Sequence, residues 1–161
     1  QNPYDYFFQL DCDFSHNPDD LLRLHNVLKN QDADLCVGSR YISGINVVNW
    51  PLSRVLLSYC ASWYVRLITC MQVKDPTAGF TAYKRKVLEN IPMDDVEFVG
   101  YAFQIEMKFR SWMKGFRIVE IPIVFKDRER GVSKLNSSII KEAVWGVLKM
   151  KIKSLFSSSY K

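Results

Sequence analysis

Residues 4–18 read YDYFFQLDCDFSHNP, and this stretch decides the fold class. The aromatic and apolar run that ends at Leu10 predicts a buried strand, and the strand leads directly into Asp11 and Asp13. Pro18 then suits the first turn of a helix. A strand that ends in acids and is followed by a helix is typical of α/β sheets, whose ligands bind beyond the carboxyl ends of the strands.

Strands and helices alternate along the rest of the chain, judged from short apolar runs and from apolar residues spaced three and four apart. The predicted strands are Tyr4–Leu10, Asp34–Gly38, Phe80–Tyr83 and Arg117–Phe125. The first predicted helix is capped by Asn17 and ends at about Lys29. The other predicted helices cover about Pro51–Met71, Arg85–Asn90, Tyr101–Lys114 and Ser137–Phe156. We therefore expect an α/β fold with a mostly parallel sheet and flanking helices.

Length and composition point to one globular domain over residues 1–161. Apolar residues make up 48% and charged residues 24%, which excludes a disordered chain. The four cysteines form no Cys-x-x-Cys pair, so neither a zinc site nor a disulfide framework is indicated, and a reducing, cytoplasmic compartment is expected. No apolar run is long enough to span a membrane, and the initial Gln suggests a chain cut from a longer protein.

The net charge of +5 is concentrated near the carboxyl terminus, because residues 126–161 hold nine Lys or Arg against three Asp or Glu. These cations fall mainly on one amphipathic helix, and the aromatic residues fall in apolar segments. A nucleic-acid-binding module, which interleaves basic and aromatic residues on one face, is therefore disfavoured.

The pair Asp11 and Asp13 can hold one hard cation, since carboxylate oxygens fill part of its shell and water or phosphate oxygens fill the rest. A strand-end turn with solvated acids explains an isolated Asp-x-Asp equally well. The surrounding sequence decides between these interpretations. Six motifs follow in order: Asp11–Pro18, Gly38–Tyr41, Asn49–Ser58 (NWPxxRxxxS), Asp75–Phe80 (DPTAGF), Glu120–Phe125 (EIPIVF) and Asp127–Leu135 (DRxxGxSKL).

Together these motifs closely resemble the polyprenol-phosphate (dolichol-phosphate) mannosyltransferases within the family 2 glycosyltransferases. The resemblance covers nearly the whole chain and implies a GT-A fold, truncated here because the amino-terminal nucleotide-binding portion of the family is missing. It implies inverting transfer of a sugar, mannose from GDP-mannose, to a polyprenyl or dolichyl phosphate. It also implies a divalent metal, Mg²⁺ or Mn²⁺, with ligand positions at Asp11, Asp13 and Ser15.

The resemblance assigns further roles residue by residue. Arg40, Arg54 and Ser58 match positions that bind the acceptor phosphate, which suits the bidentate geometry of guanidinium groups. Arg128 and Lys134 match a basic loop that closes over the donor diphosphate, with Gly131 as its hinge. Three residues, Asp13, Asp75 and Arg128, are expected to be catalytic. Glu106 matches a position where related enzymes place an acid near the acceptor, and His16 and His25 are interpreted as structural.

A lipid-phosphate acceptor implies a peripheral position on the cytoplasmic face of a membrane. The helix from Trp50 to Met71 and the final helix, with an apolar stripe of Ile140, Val144, Val147, Leu148 and Leu155 beside lysines, are the expected contact segments. Packing of these stripes on the sheet or on a second protomer remains open, as does a homo-oligomer. The alternative functions are a related transferase that uses UDP-glucose or a polysaccharide acceptor, and a non-catalytic fragment or basic binding module.

Overall fold

A computed structural model describes residues 3–127, 137–157 and 160. The strands are β1 Tyr6–Gln9, β2 Leu35–Ser39, β3 Val47–Val48, β4 Thr81–Lys84, β5 Ile118–Pro122 and β6 Phe125–Lys126. The helices are α1 Asp20–Asn30, α2 Leu52–Thr69, α3 Arg85–Asn90, α4 Gly100–Met113 and α5 Ser137–Phe156, with a 3₁₀ turn at Met93–Asp95. Among the described residues, no helix is long and apolar enough to cross a bilayer.

The main sheet is mixed, with the strand order β1-β4-β2-β5. β2 and β5 pair in parallel, whereas β4 lies between β1 and β2 and runs antiparallel to both. The α/β class is confirmed, and three of the four strands run in the same direction, but the sheet is less parallel than expected. The strand directions cannot be inferred from the apolar pattern of β4, because a buried strand has the same pattern in either direction.

Because β4 is antiparallel, the turn that precedes it lies at the edge of the sheet where β1 and β2 end. Thr81, the first residue of β4, pairs with Gln9 at the end of β1 and with Val37 near the end of β2. At the same edge, Ser39 of β2 pairs with Pro122 of β5. The carboxyl ends of three strands and the segment that precedes β4 therefore meet at one edge.

The strand predicted over Arg117–Phe125 is divided into β5 and β6, which pair with different partners. Pro122 lies on an edge strand, and its missing N–H removes no bond to β2, because the following Ile123 N–H still donates to the carbonyl of Ser39 at 3.1 Å. β6 then pairs in parallel with β3, a two-residue strand that the sequence analysis did not predict. Such a short strand has no detectable periodicity.

Three apolar clusters hold the layers together. α1 covers one face of the sheet, where Leu24 and Leu28 pack with Cys36 and Phe80. α3 and α4 cover the other face. α2 and α5 pack outside α4, in a cluster that includes Val65, Ile105, Phe109, Val147 and Met150.

The predicted stripe on α5 does not form a single exposed face. Val147 is buried in the helix cluster, so this part of the stripe packs on the protein and not on a membrane. Lys149 and Lys153 both contact the carboxylate of Glu97. Among the side chains that the structure describes on this helix, large exposed apolar ones are Trp145, Ile152, Phe156 and Leu155, of which only Leu155 belongs to the predicted stripe.

We predict that Leu28→Ala lowers the free energy of unfolding by about 2–5 kcal/mol, because Leu28 is fully buried between α1 and the sheet. Leu22→Ala, on the exposed side of the same helix, is the matched control and should change it by less than about 0.5 kcal/mol. Urea denaturation of the two variants measures the difference. Equal effects would contradict the packing of α1 against the sheet.

Candidate active site

A cavity of about 700 Å³ opens at the edge where the strand ends meet. Side chains from the β1 and β2 ends, from α2, α4 and α5, and from the segment before β4 line it. The cavity brings together five of the residues that the sequence singled out: Asp11, Asp13, Arg40, Arg54 and Ser58. Residues that are up to 47 positions apart in the chain therefore share one space.

The two acids occupy one wall of this cavity. Asp13 is held in place by Ser15, whose backbone N–H and side-chain hydroxyl both donate to Asp13 Oδ1, at 3.1 and 2.5 Å. Ser15 is buried and does not line the cavity, and its hydroxyl is bonded to Asp13, so its predicted role as a metal ligand stays a prediction. Asp11 packs against Gly79, where a Cβ atom would lie only 3.2 Å from Asp11 Oδ2.

The acids fit a hard cation that also binds phosphate oxygens. Magnesium is typically held by one or two carboxylates together with substrate phosphates and water, and Asp11 and Asp13 supply two such groups on a common wall. Within the described residues, no group of three His, Cys, Asp or Glu side chains could hold a metal alone. The site is therefore suited to a metal that arrives with, or is completed by, a phosphorylated ligand.

Arg40 and Asp75 form a buried ion pair at the centre of the site. The guanidinium donates through Nε to Asp75 Oδ2 at 2.8 Å and through Nη2 to Oδ1 at 2.7 Å, and the backbone N–H of Arg40 adds a third bond at 2.9 Å. Arg40 Nη2 also donates to the hydroxyl of Thr77. Burial alone would raise the pKa of Asp75, but the Arg40 guanidinium outweighs it and holds this pKa below its usual value.

Asp75 is fully buried and does not line the cavity, whereas Arg40 does. Direct contact of Asp75 with a substrate, as the resemblance implies, is therefore not what this arrangement favours. The carboxylate instead acts through Arg40, whose orientation it fixes with two parallel hydrogen bonds.

Arg54 and Ser58 lie one helical turn apart on α2 and face the same cavity. The Arg54 guanidinium stacks on the ring of Trp50, 4.1 Å from its centroid, and donates to Asp127 Oδ1 at 2.7 Å. Ser58 accepts a hydrogen bond from the hydroxyl of Tyr41 at 2.8 Å. Both groups are partly accessible, so an anionic ligand can reach them.

The remaining wall of the cavity is apolar. Leu57, Ala61 and Val65 contribute from α2, Ile105 from α4, and Val144 and Val147 from α5. The cavity therefore has a polar end, with the acids and arginines, and an apolar end between three helices. This division suits a ligand with a charged head and a hydrocarbon tail.

His16 forms part of the wall beside the acids. Its ring lies 4.8 Å from the ring centroid of Phe80 and 5.1 Å from that of Phe125, and neither ring nitrogen has a hydrogen-bond partner among the described residues. Burial lowers the pKa of His16, although the nearby acids oppose this shift. The aromatic packing agrees with the structural role expected for this residue.

Glu106 lies away from the cavity, contrary to the expected position near an acceptor. It is fully buried, accepts hydrogen bonds from the backbone N–H groups of Glu97 and Phe98, and pairs with Arg110 at 2.9 Å. A carboxylate with these partners stabilises the start of α4. Glu106 follows Ile105, which does line the cavity, so its side chain is turned by about 100° around the helix from that of Ile105.

Lys108 was missed by the sequence analysis. It is fully buried on α4, and its ammonium donates to the carbonyls of Ala78 at 2.7 Å and Gln104 at 3.2 Å. Burial lowers its pKa to about 7, while the charges of Asp75 and Glu120 act in the opposite direction. In sequence, a lysine on an amphipathic helix predicts a solvent-facing position, so no local signal identifies it.

Arg128, Gly131 and Lys134 lie outside the described residues, so their predicted roles stay predictions.

We predict that Asp75→Asn lowers the free energy of unfolding by about 3–5 kcal/mol, because it leaves the Arg40 cation buried without a counter-charge. Asp32→Asn is the matched control, since its partner Arg117 and Asp32 itself are both largely exposed. That change should cost less than about 1 kcal/mol. Urea denaturation at neutral pH compares the two, and a small effect at both positions would show that Asp75 does not hold Arg40.

Comparison with known proteins identifies the family to which this site belongs. The profile of the family described as Glycosyl transferase family 2 matches residues 3–92. The chain is 43% identical over 149 residues to a polyprenol monophosphomannose synthase of Mycolicibacterium smegmatis, and 42% identical over 149 residues to an undecaprenyl-phosphate mannosyltransferase of Micrococcus luteus. It is 34% identical over 140 residues to a dolichol-phosphate mannosyltransferase of Pyrococcus furiosus.

These alignments cover 89%, 89% and 86% of this chain. They cover 56%, 60% and 38% of the respective relatives, so the chain spans little more than half the length of the two most similar of the three. The expected GT-A architecture agrees with the match and with the α/β sheet described above. The profile match and the identities show that the chain belongs to glycosyl transferase family 2.

Proposed function

We propose that the protein that carries this chain transfers mannose from GDP-mannose to a polyprenyl phosphate. The observation that carries the proposal is the cavity that joins two carboxylates, Asp11 and Asp13, to two arginines, Arg40 and Arg54. A nucleotide-sugar donor with a metal suits the first pair, and an acceptor phosphate suits the second. The names of the three relatives, each a synthase or transferase of lipid-linked mannose, support the same reaction class.

The acceptor end is suited to a phosphomonoester on a hydrocarbon chain. Arg40 is held by Asp75, and Arg54 lines the same cavity with Ser58 one turn away. Two guanidinium groups and a hydroxyl supply several donors to phosphate oxygens. The apolar wall between α2, α4 and α5 would then accommodate the first part of a prenyl tail.

At the donor end, Asp11 and Asp13 would hold the divalent metal, Mg²⁺ or Mn²⁺, and Ser15 would keep the Asp13 carboxylate oriented. When bound, such a metal offsets the charge of the donor diphosphate and of the departing nucleotide. Arg128 and Lys134 are proposed to add positive charge to the same diphosphate. In this scheme Asp13 and Arg128 contact donor or metal, and Asp75 acts through Arg40.

The reaction is a direct displacement that inverts the anomeric carbon. An acceptor phosphate oxygen forms the new bond to that carbon while the bond to the nucleotide diphosphate breaks on the opposite side. The second pKa of a phosphomonoester is near 6, so the nucleophile is already largely deprotonated at neutral pH and needs no strong general base. None of the acids that line the cavity has to take up a proton.

Two alternatives follow from what the cavity does not determine. A related transferase could use UDP-glucose or a polysaccharide acceptor, since none of the described residues that line the cavity identifies the base or the sugar of the donor. A hydroxyl acceptor would, however, require a general base close to Arg40 and Arg54, and the acid nearest to Arg40, Asp75, is already fully bonded to it. The second alternative is a non-catalytic fragment or basic binding module, which would leave the paired acids without a use.

We also propose that the protein lies peripherally on the cytoplasmic face of a membrane through α2. Its exposed apolar side chains recur three and four residues apart along one stripe: Leu52, Leu56, Tyr59, Trp63 and Leu67. The opposite side of the same helix lines the cavity, so a bilayer at this stripe would lie about one helix diameter, roughly 10–12 Å, from Arg54. A homo-oligomer that covers the stripe is the competing proposal.

The first experiment measures transfer of labelled mannose by the full-length protein, with GDP-mannose, Mn²⁺ and a polyprenyl phosphate. Asp13→Ala should lower the rate at least about a hundredfold, because it removes one of two metal-binding carboxylates. Arg54→Ala should mainly raise the KM for the acceptor, by about tenfold or more. Asp32→Ala, an exposed acid far from the cavity, is the control and should leave the rate unchanged.

Two outcomes would contradict the proposal. If UDP-glucose replaces GDP-mannose as the better donor, the sugar assignment is wrong. If no lipid-linked product forms with any donor while metal-dependent nucleotide binding persists, the acceptor is not a polyprenyl phosphate.

The membrane proposal has its own test. Trp63→Gln combined with Leu67→Gln should lower binding to vesicles of phosphatidylcholine and phosphatidylglycerol by about tenfold or more, because two large apolar side chains lose their contact with lipid. Leu22→Gln, on the exposed side of α1, is the control with a similarly exposed apolar residue. Unchanged vesicle binding together with a change from dimer to monomer would instead assign the stripe to a protein interface.

A further inference from the structure

The segment from Lys74 to Gly79 connects the two ends of the cavity. Near its start, Asp75 fixes the guanidinium of Arg40. At its end, Gly79 packs so closely on Asp11 that an added Cβ would lie 3.2 Å from the carboxylate oxygen Oδ2. The position of this one segment therefore determines both where Arg40 points and where Asp11 lies.

The segment is neither helix nor strand, so regular backbone hydrogen bonds do not hold it. Glu120 of β5 supplies one tie, since its carboxylate accepts hydrogen bonds from the backbone N–H groups of Lys74 at 2.6 Å and Asp75 at 2.9 Å. Lys108 of α4 supplies the other, through the 2.7 Å bond from its ammonium to the carbonyl of Ala78. These hydrogen bonds hold opposite ends of the segment, and they come from the sheet at one end and from a helix at the other.

Of these two residues, Lys108 is costly for a protein to bury, whereas Glu120 is only half-buried. Lys108 is fully inaccessible, and a Met or Leu in its place on α4 would pack without the loss of hydration. Two cations, Arg40 and Lys108, are balanced by two carboxylates, Asp75 and Glu120, which face them from the segment and from β5. A buried cluster of opposite charges contributes little to the net stability of a fold, and its main effect is to fix the geometry of the groups in it.

We propose that Lys108 and Glu120 are positioning residues that hold segment 74–79. Through this segment they would fix the position of Arg40, proposed to bind phosphate, relative to that of Asp11, proposed to bind the metal. Neither Lys108 nor Glu120 lines the cavity, so each acts through the segment and not on a ligand. The assignment of the two ends to acceptor and donor rests on the proposed function.

Two binding measurements on the full-length protein test this coupling without turnover. Calorimetry with GDP and Mn²⁺ reports on the acid end, and calorimetry with geranyl phosphate reports on the arginine end. We expect Lys108→Met to raise both dissociation constants about tenfold. Arg54→Ala, which changes only the arginine end, should raise the constant for geranyl phosphate alone.

Glu120 provides a second pair of variants that does not depend on a substitution in the helix core. Glu120→Met removes both acceptor oxygens and should weaken both ligands as Lys108→Met does. Glu120→Gln keeps one carbonyl oxygen in the same place and should recover at least part of both affinities. Lys29→Met, an exposed lysine on α1, is the control for loss of a positive charge and should bind as the unmodified protein does.

The outcomes separate this inference from the reaction itself. If Lys108→Met and Glu120→Met are folded and bind both ligands normally, or weaken only one of them, the coupling is wrong even if mannose transfer is confirmed. If both affinities fall together and glutamine restores them, the coupling holds even if the unmodified protein transfers a different sugar.

Discussion

The buried ion pair between Arg40 and Asp75 is the constraint on which the rest of the site depends. A guanidinium and a carboxylate that are buried away from water must pair, because burying either charge without its partner would destabilise the fold by several kcal/mol. Here the requirement joins the end of β2 to the segment before β4, which lie 35 residues apart. The pair leaves Arg40 in the cavity wall with its orientation fixed, so binding of the proposed acceptor phosphate would cost little conformational entropy at this side chain.

The antiparallel direction of β4 gives this pair its place in the fold. Had β4 run parallel to its neighbours, the residues before it would lie at the opposite edge, far from Asp11 and Arg40. Because Thr81 pairs with the last residue of β1, the preceding turn lies beside the strand ends that carry the functional groups. The mixed sheet thus gathers groups from four strands at one edge, where a purely parallel sheet would contribute strand ends only.

The sequence predicted what local patterns encode and missed what depends on packing between distant elements. Asp11 and Asp13 were found because a strand ends just before them, although β1 is a half-buried edge strand and not the buried strand expected. α2 was found within two residues at each end from its apolar spacing. The direction of β4 has no local signal, and the burial of Val147 depends on which side of α5 meets α4. Lys108 is the clearest case, because the carbonyl of Ala78, which accepts a hydrogen bond from its buried ammonium, is 30 residues away in the chain.

The two arginines of the cavity differ in a way that bears on how a phosphate would be received. Arg40 has a permanent partner, whereas Arg54 pairs with Asp127 at 2.7 Å while about a fifth of its side chain stays exposed. An ion pair with this much access to water is weak, and a phosphate with two charges competes well with a single carboxylate. Arg40 would therefore keep its partner Asp75 when a phosphate binds, whereas Arg54 could exchange Asp127 for the phosphate.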